Sequence, residues 1–392
     1  MSLPPLVSAT RQFFKDTYGV PPVIMGQAPG RLNICGEHTD YNGGLALPMA
    51  IDRHAVVAVK PADSGRIRAY AMAFDEQFEW LPGHAPEGLP PWANYIDGAV
   101  LQFRDDFGLP GGIDIVVNSD LSIGSGLGSS AAFGVSIALA LQILSPRKIK
   151  LAELPTYCQQ MENSYMMVET GVLDQTIALF ARKNYALRID FTSGTRALEP
   201  LRCKNCQFIV MESTEPRQLA TSGYNERVAW CQSALIKSRK LLGDQLKNLS
   251  DISRGQLPQL KAGLNPHELS MVRHVVTENE RVDICARALV KGDMVTLGSA
   301  LNAAHASMRD DLEASTERLD YLVETAQSQV GCLGARLVGG GFGGSCFALL
   351  ERDRVESFIS AMSDSYKKKF ATELPIYPVT SDDAASVWRV YD

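Results

Sequence analysis

One stretch of the chain, residues 29–44, concentrates side chains that can act on a polar small molecule. Its charged and aromatic members are Arg31, Glu37, His38, Asp40 and Tyr41. Glycines between them leave the backbone free to turn. Carboxylates, a guanidinium and an imidazole gathered on such a loop can hydrogen-bond several hydroxyl groups at once. The stretch therefore predicts a binding site for a hydroxyl-rich small molecule.

A second segment could bind a ligand through its backbone N–H groups rather than through its side chains. Its residues are Gly124, Ser125, Gly126, Leu127, Gly128, Ser129 and Ser130. Successive N–H groups in a glycine-rich turn, followed by a helix N-terminus, form an anion site. The segment lacks the lysine of a Walker loop and reads GxGxG rather than the GxGxxG of a dinucleotide site. Taken alone, it could also be a tight connection between a strand and a helix.

Two acidic residues, Glu162 and Asp174, lie on neighbouring predicted helices. Phosphoryl transfer to a hydroxyl group requires a proton acceptor and neutralisation of the phosphate charge, and acids contribute to both. In isolation, Asp174 would be read as an acid that caps the start of a helix. A glycine run at residues 339–344 would, in isolation, be read as a flexible turn.

Together these segments resemble the three motifs of the GHMP kinases, named after their galactose, homoserine, mevalonate and phosphomevalonate members. Residues 29–44 resemble the signature of the galactokinases within that superfamily. The motifs occur in the family's order and cover nearly the whole chain. The resemblance implies a two-domain α+β fold, GHMP-kinase-like, with the active site in the cleft between the domains. It implies an enzyme that phosphorylates the anomeric hydroxyl of galactose with ATP, giving galactose 1-phosphate and ADP.

The resemblance also implies roles for individual residues. Asp174 would be the catalytic base, and Arg31 beside it would keep the carboxylate ionised and stabilise developing negative charge. Residues 124–130 would bind the phosphates of ATP, while Ser130 and Glu162 would bind Mg²⁺. The sugar would be held by Glu37, His38, Asp40, Gly171 and Tyr224.

One departure from the family leaves the sugar open. Glu169 and Thr170 stand where galactokinases usually carry proline and cysteine, close to the catalytic aspartate. The alternatives are therefore a sugar-1-kinase for another sugar, such as N-acetylgalactosamine or arabinose, and a non-catalytic regulator that binds sugar and ATP. The presence of Arg31, Asp174 and both magnesium ligands favours the enzyme.

The surrounding pattern shifts from strand-rich to helix-rich between residues 192 and 205, which predicts domains at residues 1–200 and 201–392. Alternating apolar residues predict separate strands at 45–51 and 54–60. Later segments predict helices at 316–328 and 355–370 and a strand at 345–350.

Composition narrows the function classes. The chain has 392 residues and a formal net charge of −6, which disfavours nucleic-acid binding. The longest apolar run, residues 131–144, is shorter than the ~20 residues that span a bilayer. Eight scattered cysteines indicate a reducing cytoplasm, and the Cys203–Cys206 pair reads as an inert turn. The expected partners are a small sugar and ATP, with no nucleic acid or membrane; the pattern gives no oligomeric state, and a monomer suffices.

Overall fold

A computed structural model describes residues 3–166, 170–215 and 223–391. Its helices are α1 (Pro5–Tyr18), α2 (Pro91–Phe107), α3 (Ser129–Leu144), α4 (Leu154–Met166), α5 (Leu173–Phe180), α6 (Tyr224–Leu242), α7 (Leu257–Leu260), α8 (Pro266–Lys291), α9 (Met294–Asp310), α10 (Glu317–Ser328) and α11 (Val355–Phe370). Its strands are β1 (Ile24–Asn33), β2 (Leu45–Ala46), β3 (Pro48–Ala62), β4 (Ile67–Ala71), β5 (Glu76–Trp80), β6 (Gly112–Ser119), β7 (Tyr185–Asp190), β8 (Arg196–Pro200), β9 (Cys206–Glu212), β10 (Cys332–Val338), β11 (Ser345–Glu351), β12 (Ile376–Val379) and β13 (Ser386–Arg389).

Within the described ranges these strands form three sheets. The largest has the order β13-β1-β3-β6-β4-β5, and its pairs are antiparallel except for β4 and β6. The second has the order β10-β11-β9-β12 and the third β2-β7-β8, both antiparallel. Because β13 pairs with β1, strands from near the two ends of the chain lie side by side.

Helix α3 is the central element of the first half, and its sequence explains its position. Its buried residues, from Ala131 to Leu141, are small or apolar around the whole circumference, so the helix is covered on all sides. It packs on β1 and β3 and is flanked by α2, α4 and α5. A side chain at Gly26 of β1 would come within 2.5 Å of the Ser136 carbonyl oxygen, so this glycine permits the close contact. The N-terminus of α3 is thereby fixed beside β1.

In the second half, α9 and α10 pack on β10, while α8 lies against α6 and α9. Helix α10 begins where a capping residue stands, because the Thr316 side chain accepts a hydrogen bond from the Leu319 N–H. The predicted helix 355–370 and strand 345–350 are confirmed as α11 and β11. The division at residue 200 stays a prediction; it falls in the connection between β8 and β9, and β13 returns to the first sheet.

One predicted break in a strand is wrong. The segments 45–51 and 54–60 were expected as two strands, but β3 runs without interruption from Pro48 to Ala62. The polar pair Asp52 and Arg53, which separates the two predicted segments, lies inside the strand. Asp52 instead bonds a distant segment: its carboxylate accepts from the Thr380 N–H at 2.9 Å, and its own N–H donates to the Thr380 carbonyl at 3.0 Å.

The cysteines form no disulfide in the described part of the chain, where all eight are free thiols. Cys203 lies between β8 and β9, and Cys206 is the first residue of β9. The described residues contain no group of three or more histidine, cysteine, aspartate and glutamate side chains that could hold a metal ion. They also contain no helix that is both long and apolar enough to cross a membrane.

Candidate active site

Arg31 and Asp174 form the centre of the site. The Arg31 Nε and Nη2 donate to Oδ1 and Oδ2 of Asp174, each at 2.9 Å. The remaining nitrogen, Nη1, donates to the Gly126 carbonyl, and the Arg31 backbone N–H donates to the Leu127 carbonyl at 2.8 Å. A register shift in β1 between Pro29 and Arg31 turns the strand at this point. The guanidinium is therefore fixed between the glycine-rich loop and the carboxylate.

The predicted anion loop leads into α3, as the sequence indicated. Gly124, Gly126 and Gly128 have φ values of 74°, 78° and 77°, which residues with a side chain rarely adopt. Helix α3 starts at Ser129, so its first turn points unpaired N–H groups toward the loop. A Cβ on Gly128 would stand 3.3 Å from Cγ of Arg31 and 3.4 Å from Oδ2 of Asp174. The anion site and the ion pair are thus in direct contact.

Glu162 reaches the same point from α4. It is buried, and its Oε2 accepts a hydrogen bond from Nε2 of Gln175 at 2.6 Å. Burial raises the pKa of Glu162 to about 7, opposed by a hydrogen bond from Ser130 and reinforced by the nearby charge of Asp174. A buried carboxylate beside a hydroxyl offers the oxygen ligands that Mg²⁺ prefers, with the remaining positions left to water and phosphate.

Asp40 lies near Asp174. A Cβ on Gly171 would be 1.6 Å from Oδ2 of Asp40, so the two residues touch and position 171 has no space for a side chain. Burial raises the pKa of Asp40 to about 6, and the negative charges of Asp174 and Glu37 add to the effect. Such a carboxylate gains most from a ligand that brings hydroxyl donors.

Glu37 and His38 are tied to the late glycine run. Oε1 of Glu37 accepts a hydrogen bond from the Gly339 N–H at 2.8 Å. The His38 Nε2 lies 3.0 Å from the Gly340 carbonyl, so it carries the proton, and Nδ1 accepts from the Tyr41 hydroxyl at 2.7 Å. His38 has a φ of 57°, which turns the chain toward that run. A direct contact between His38 and a sugar stays a prediction.

Tyr224, the first residue of α6, completes this side of the site. Its ring centroid lies 5.0 Å from that of His38 and 6.0 Å from that of Tyr41. The structure therefore brings the predicted sugar-side residues close to one another, since Asp40 contacts Gly171 and His38 contacts Tyr224. Those residues are Glu37, His38, Asp40, Gly171 and Tyr224.

The late glycine run also contacts the anion loop. Gly339 and Gly344 have φ values of 76° and 82°. A Cβ on Gly344 would approach the Ser125 carbonyl oxygen to 3.0 Å. The run therefore lies between the sugar-side residues and the anion loop.

Sequence reasoning missed an apolar cavity of about 520 Å³ beside the anion loop. Ser129 and Ser130 line one end of it, so it continues from the N-terminus of α3. Its apolar and aromatic lining includes Ala71, Phe74, Trp92, Tyr95, Val117 and Phe133. These residues come from separate parts of the chain, and most of them fit the pattern of a core residue. The sequence therefore carried no signal that they share one cavity.

Glu169, whose presence left the sugar open, lies outside the described residues. Its neighbour Thr170 is described, and its hydroxyl donates to Oδ1 of Asn163 at 2.9 Å. Its carbonyl accepts from Nε2 of Gln159 at 2.7 Å. Thr170 is thus held by α4.

Three family descriptions match the chain. "Galactokinase galactose-binding signature" matches residues 12–61, "GHMP kinases N terminal domain" residues 94–182, and "GHMP kinases C terminal" residues 285–368. A galactokinase from Roseiflexus sp. is 37% identical over 382 residues, covering 97% of each chain. One from Chloroflexus aurantiacus is 37% identical over 383 residues, covering 96% of each chain.

Two solved structures are also similar to this chain. The galactokinase of Lactococcus lactis, complexed with galactose, superimposes with a TM-score of 0.90 at 29% identity, covering 97% of this chain and 99% of that one. The mevalonate kinase of Methanococcus jannaschii superimposes with a TM-score of 0.66 at 17% identity, covering 92% and 99%. The second likeness concerns the fold alone.

Proposed function

The chain belongs to the galactokinases of the GHMP kinase superfamily and has their two-domain α+β fold, and we propose from that premise how its residues phosphorylate galactose. The reaction transfers the γ-phosphoryl group of ATP to the anomeric hydroxyl, giving galactose 1-phosphate and ADP. The observation that carries the mechanism is the position of Asp174, which contacts the anion loop and lies near Asp40.

Asp174 acts as the base. Its side chain is 29% exposed, against 7% for Arg31, so the carboxylate faces the space where a hydroxyl can bind. It accepts the proton of the anomeric hydroxyl as that oxygen attacks the γ-phosphorus. Arg31 fixes the direction of the carboxylate and places a positive charge beside the phosphoryl group during transfer.

ATP binds along α3. The N–H groups of residues 124–130 take the phosphates, and the helix N-terminus adds partial positive charge. The adenine ring of ATP occupies the cavity of about 520 Å³, where Trp92 and Phe133 offer aromatic surface. The cavity ends at Ser129 and Ser130, so a nucleotide there extends its phosphates toward Asp174.

Ser130 and Glu162 would hold Mg²⁺. An ion held there would supply positive charge that neutralises the phosphate groups during transfer. The fit is supported by the burial of Glu162, which disfavours the ionised carboxylate and raises its pKa, since a bound cation would stabilise the ionised form. Gln175 keeps the carboxylate in place from α5.

Galactose occupies the space bounded by Asp40, Gly171, Glu37, His38 and Tyr224. Carboxylates there accept hydrogen bonds from the ring hydroxyls, and the absence of a side chain at Gly171 leaves room for the carboxylate of Asp40. Since the described chain supplies residues for both substrates, we propose that a monomer is sufficient. The free thiols fit a reducing cytoplasm.

The test is ADP release from ATP and Mg²⁺ across a panel of sugars. The panel contains galactose, 2-deoxygalactose, galactosamine, N-acetylgalactosamine, glucose, arabinose, galacturonate and mevalonate. We expect galactose to give the highest kcat/KM by at least tenfold. 1,5-Anhydrogalactitol, which lacks the anomeric hydroxyl, is the matched control and must give no ADP above background.

Two other outcomes would change the assignment. If another sugar has the highest kcat/KM, the phosphoryl chemistry remains and the segment around Glu169 becomes the place to look for its specificity. If sugar and ATP both bind without ADP release, the chain is a sensor rather than an enzyme.

A further inference from the structure

A fully buried arginine lies behind the sugar side of the site. Arg336, in β10, has no exposed surface, and its guanidinium faces two buried carboxylates. Its Nη2 lies 3.3 Å from Oε1 of Glu37, and its Nη1 lies 3.5 Å from Oε1 of Glu278. Burying a charge is costly unless it is paired and hydrogen-bonded, so the buried Arg336 depends on these two carboxylates.

The other donors of Arg336 fix its orientation. Its Nε donates to the Leu337 carbonyl at 2.9 Å, and its Nη1 donates to the Ile34 carbonyl at 3.2 Å. Ile34 lies three residues before Glu37 on the sugar-binding stretch. Arg336 therefore contacts both the backbone and the side chain of that stretch.

Glu278, on α8, completes the network. Its Oε1 accepts from the Gly36 N–H at 2.8 Å, and its Oε2 accepts from Nε of Arg281 at 2.6 Å. Burial alone would raise the pKa of Glu278, but the positive charges of Arg281 and Arg336 hold it well below its usual range. Two carboxylates thus face two guanidinium groups, and the cluster balances its charge without a ligand.

The network constrains one oxygen of Glu37 in particular. Among the described residues, the polar contacts of its carboxylate go to Oε1, from the Gly339 N–H and from Arg336. The side chain is only 6% exposed, so Oε2 has little access to water. A sugar hydroxyl is a suitable donor to Oε2.

We propose that Arg336, supported by Glu278, is a positioning residue that aims Oε2 of Glu37 at one hydroxyl of the sugar and so contributes to sugar specificity. The inference rests on the proposed function, in which Glu37 contacts galactose. Lysine at position 336 would keep the positive charge but lose the fork that bonds Leu337 and Ile34 while facing Glu37. The carboxylate of Glu37 would then keep a counter-charge and lose its fixed direction.

The test compares Arg336→Lys with Glu37→Gln on galactose and on the singly deoxygenated galactoses. Glu37→Gln first identifies the hydroxyl that Glu37 binds. This variant should have a lower kcat/KM than the unmodified enzyme on galactose, but an equal kcat/KM on the deoxy sugar that lacks that hydroxyl. We expect Arg336→Lys to lower kcat/KM on galactose by about 10- to 100-fold, mainly through KM, and to cause no loss on that same deoxy sugar. Arg309→Lys, at a partly exposed ion pair on α9, is the matched control and should leave all values unchanged.

The inference is overturned if Arg336→Lys lowers kcat/KM equally on galactose and every deoxy sugar, or has no effect. It is also overturned if the Glu37→Gln loss persists on all deoxy sugars. If Arg336→Lys does not fold, Glu278→Gln decides by the same criterion, since this near-isosteric change weakens the hold on Arg336. Absence of galactose turnover in the unmodified enzyme would instead contradict the proposed function.

Discussion

The carboxylate of Asp174 and the guanidinium of Arg31 meet in two parallel hydrogen bonds, Nε to Oδ1 and Nη2 to Oδ2, each at 2.9 Å. Such a fork fixes the plane of the carboxylate as well as its distance. The same guanidinium also donates to the carbonyl of Gly126. The direction of the proposed base is therefore set by the loop that is proposed to bind the phosphates.

Replacing Asp174 by asparagine should remove the proton acceptor while keeping the shape of the side chain. We expect kcat to fall by roughly 10²- to 10⁴-fold, with galactose and ATP binding largely retained. Steady-state kinetics and calorimetric binding measure the two effects separately. Asp105→Asn, at a side chain that is 65% exposed on α2, is the matched control. Near-normal turnover in Asp174→Asn would exclude Asp174 as the base.

A methyl group at position 171 should displace Asp40. The added Cβ would lie 1.6 Å from Oδ2 of Asp40, so one of the two segments must move. We expect Gly171→Ala to raise the KM for galactose at least tenfold and to change the KM for ATP little. Gly255→Ala is the control, because no atom lies within 4 Å of the Cβ position there. Equal KM values for galactose in the two variants would contradict the contact.

Asp40→Asn should stabilise the free protein above neutral pH. The raised pKa of about 6 means that the folded state holds the proton more tightly than the unfolded chain. The free energy of unfolding therefore decreases as pH rises through 6, and asparagine removes this loss. We expect Tm to rise by roughly 2–4 °C at pH 8, with the gain vanishing near pH 4.

The same Asp40→Asn variant should bind galactose more weakly, because a carboxylate is the stronger acceptor for hydroxyl groups. Thermal unfolding across pH, with and without galactose, measures both effects. Asp105→Asn again serves as the comparison and should show a flat difference in Tm. A variant that is less stable than the unmodified protein at pH 8 would refute the assignment of an unfavourably buried charge.

Filling the apolar cavity should weaken the binding of ATP and leave the binding of galactose unchanged. Ala73 is exposed and lines this cavity, so a phenylalanine there can enter it without disturbing the core. We expect Ala73→Phe to raise the KM for ATP about tenfold and to leave the KM for galactose unchanged. Ala303→Phe, at an exposed position of α9, is the control. An unchanged KM for ATP would remove the cavity from the proposed nucleotide site.

Local features of the sequence predicted much of the fold. Helix α11 has the predicted bounds, and α10 begins after the capping residue Thr316. The glycine-rich loop leads into a buried helix because residues 131–141 have no polar face. Family membership and the galactokinase resemblance are likewise confirmed, since the motifs depend on short contiguous runs.

Features that depend on distant contacts were not predictable. Strand β10 holds Gly334 and Arg336, which weaken the apolar pattern of a strand, and only the facing Glu37 and Glu278 explain the buried charge. The continuity of β3 through Asp52 was not predictable either, because the partner of Asp52, Thr380, is far along the chain. The cavity was missed for the same reason, as its walls come from separate elements.

Residues 339–344 connect the two substrate sites, through the Gly339 bond to Glu37 and the packing of Gly344 on Ser125. If this run moves when one ligand binds, thermodynamic linkage requires ATP to change the affinity for galactose by the same factor as galactose changes the affinity for ATP. The glycine run is then the segment through which binding of one substrate would alter binding of the other.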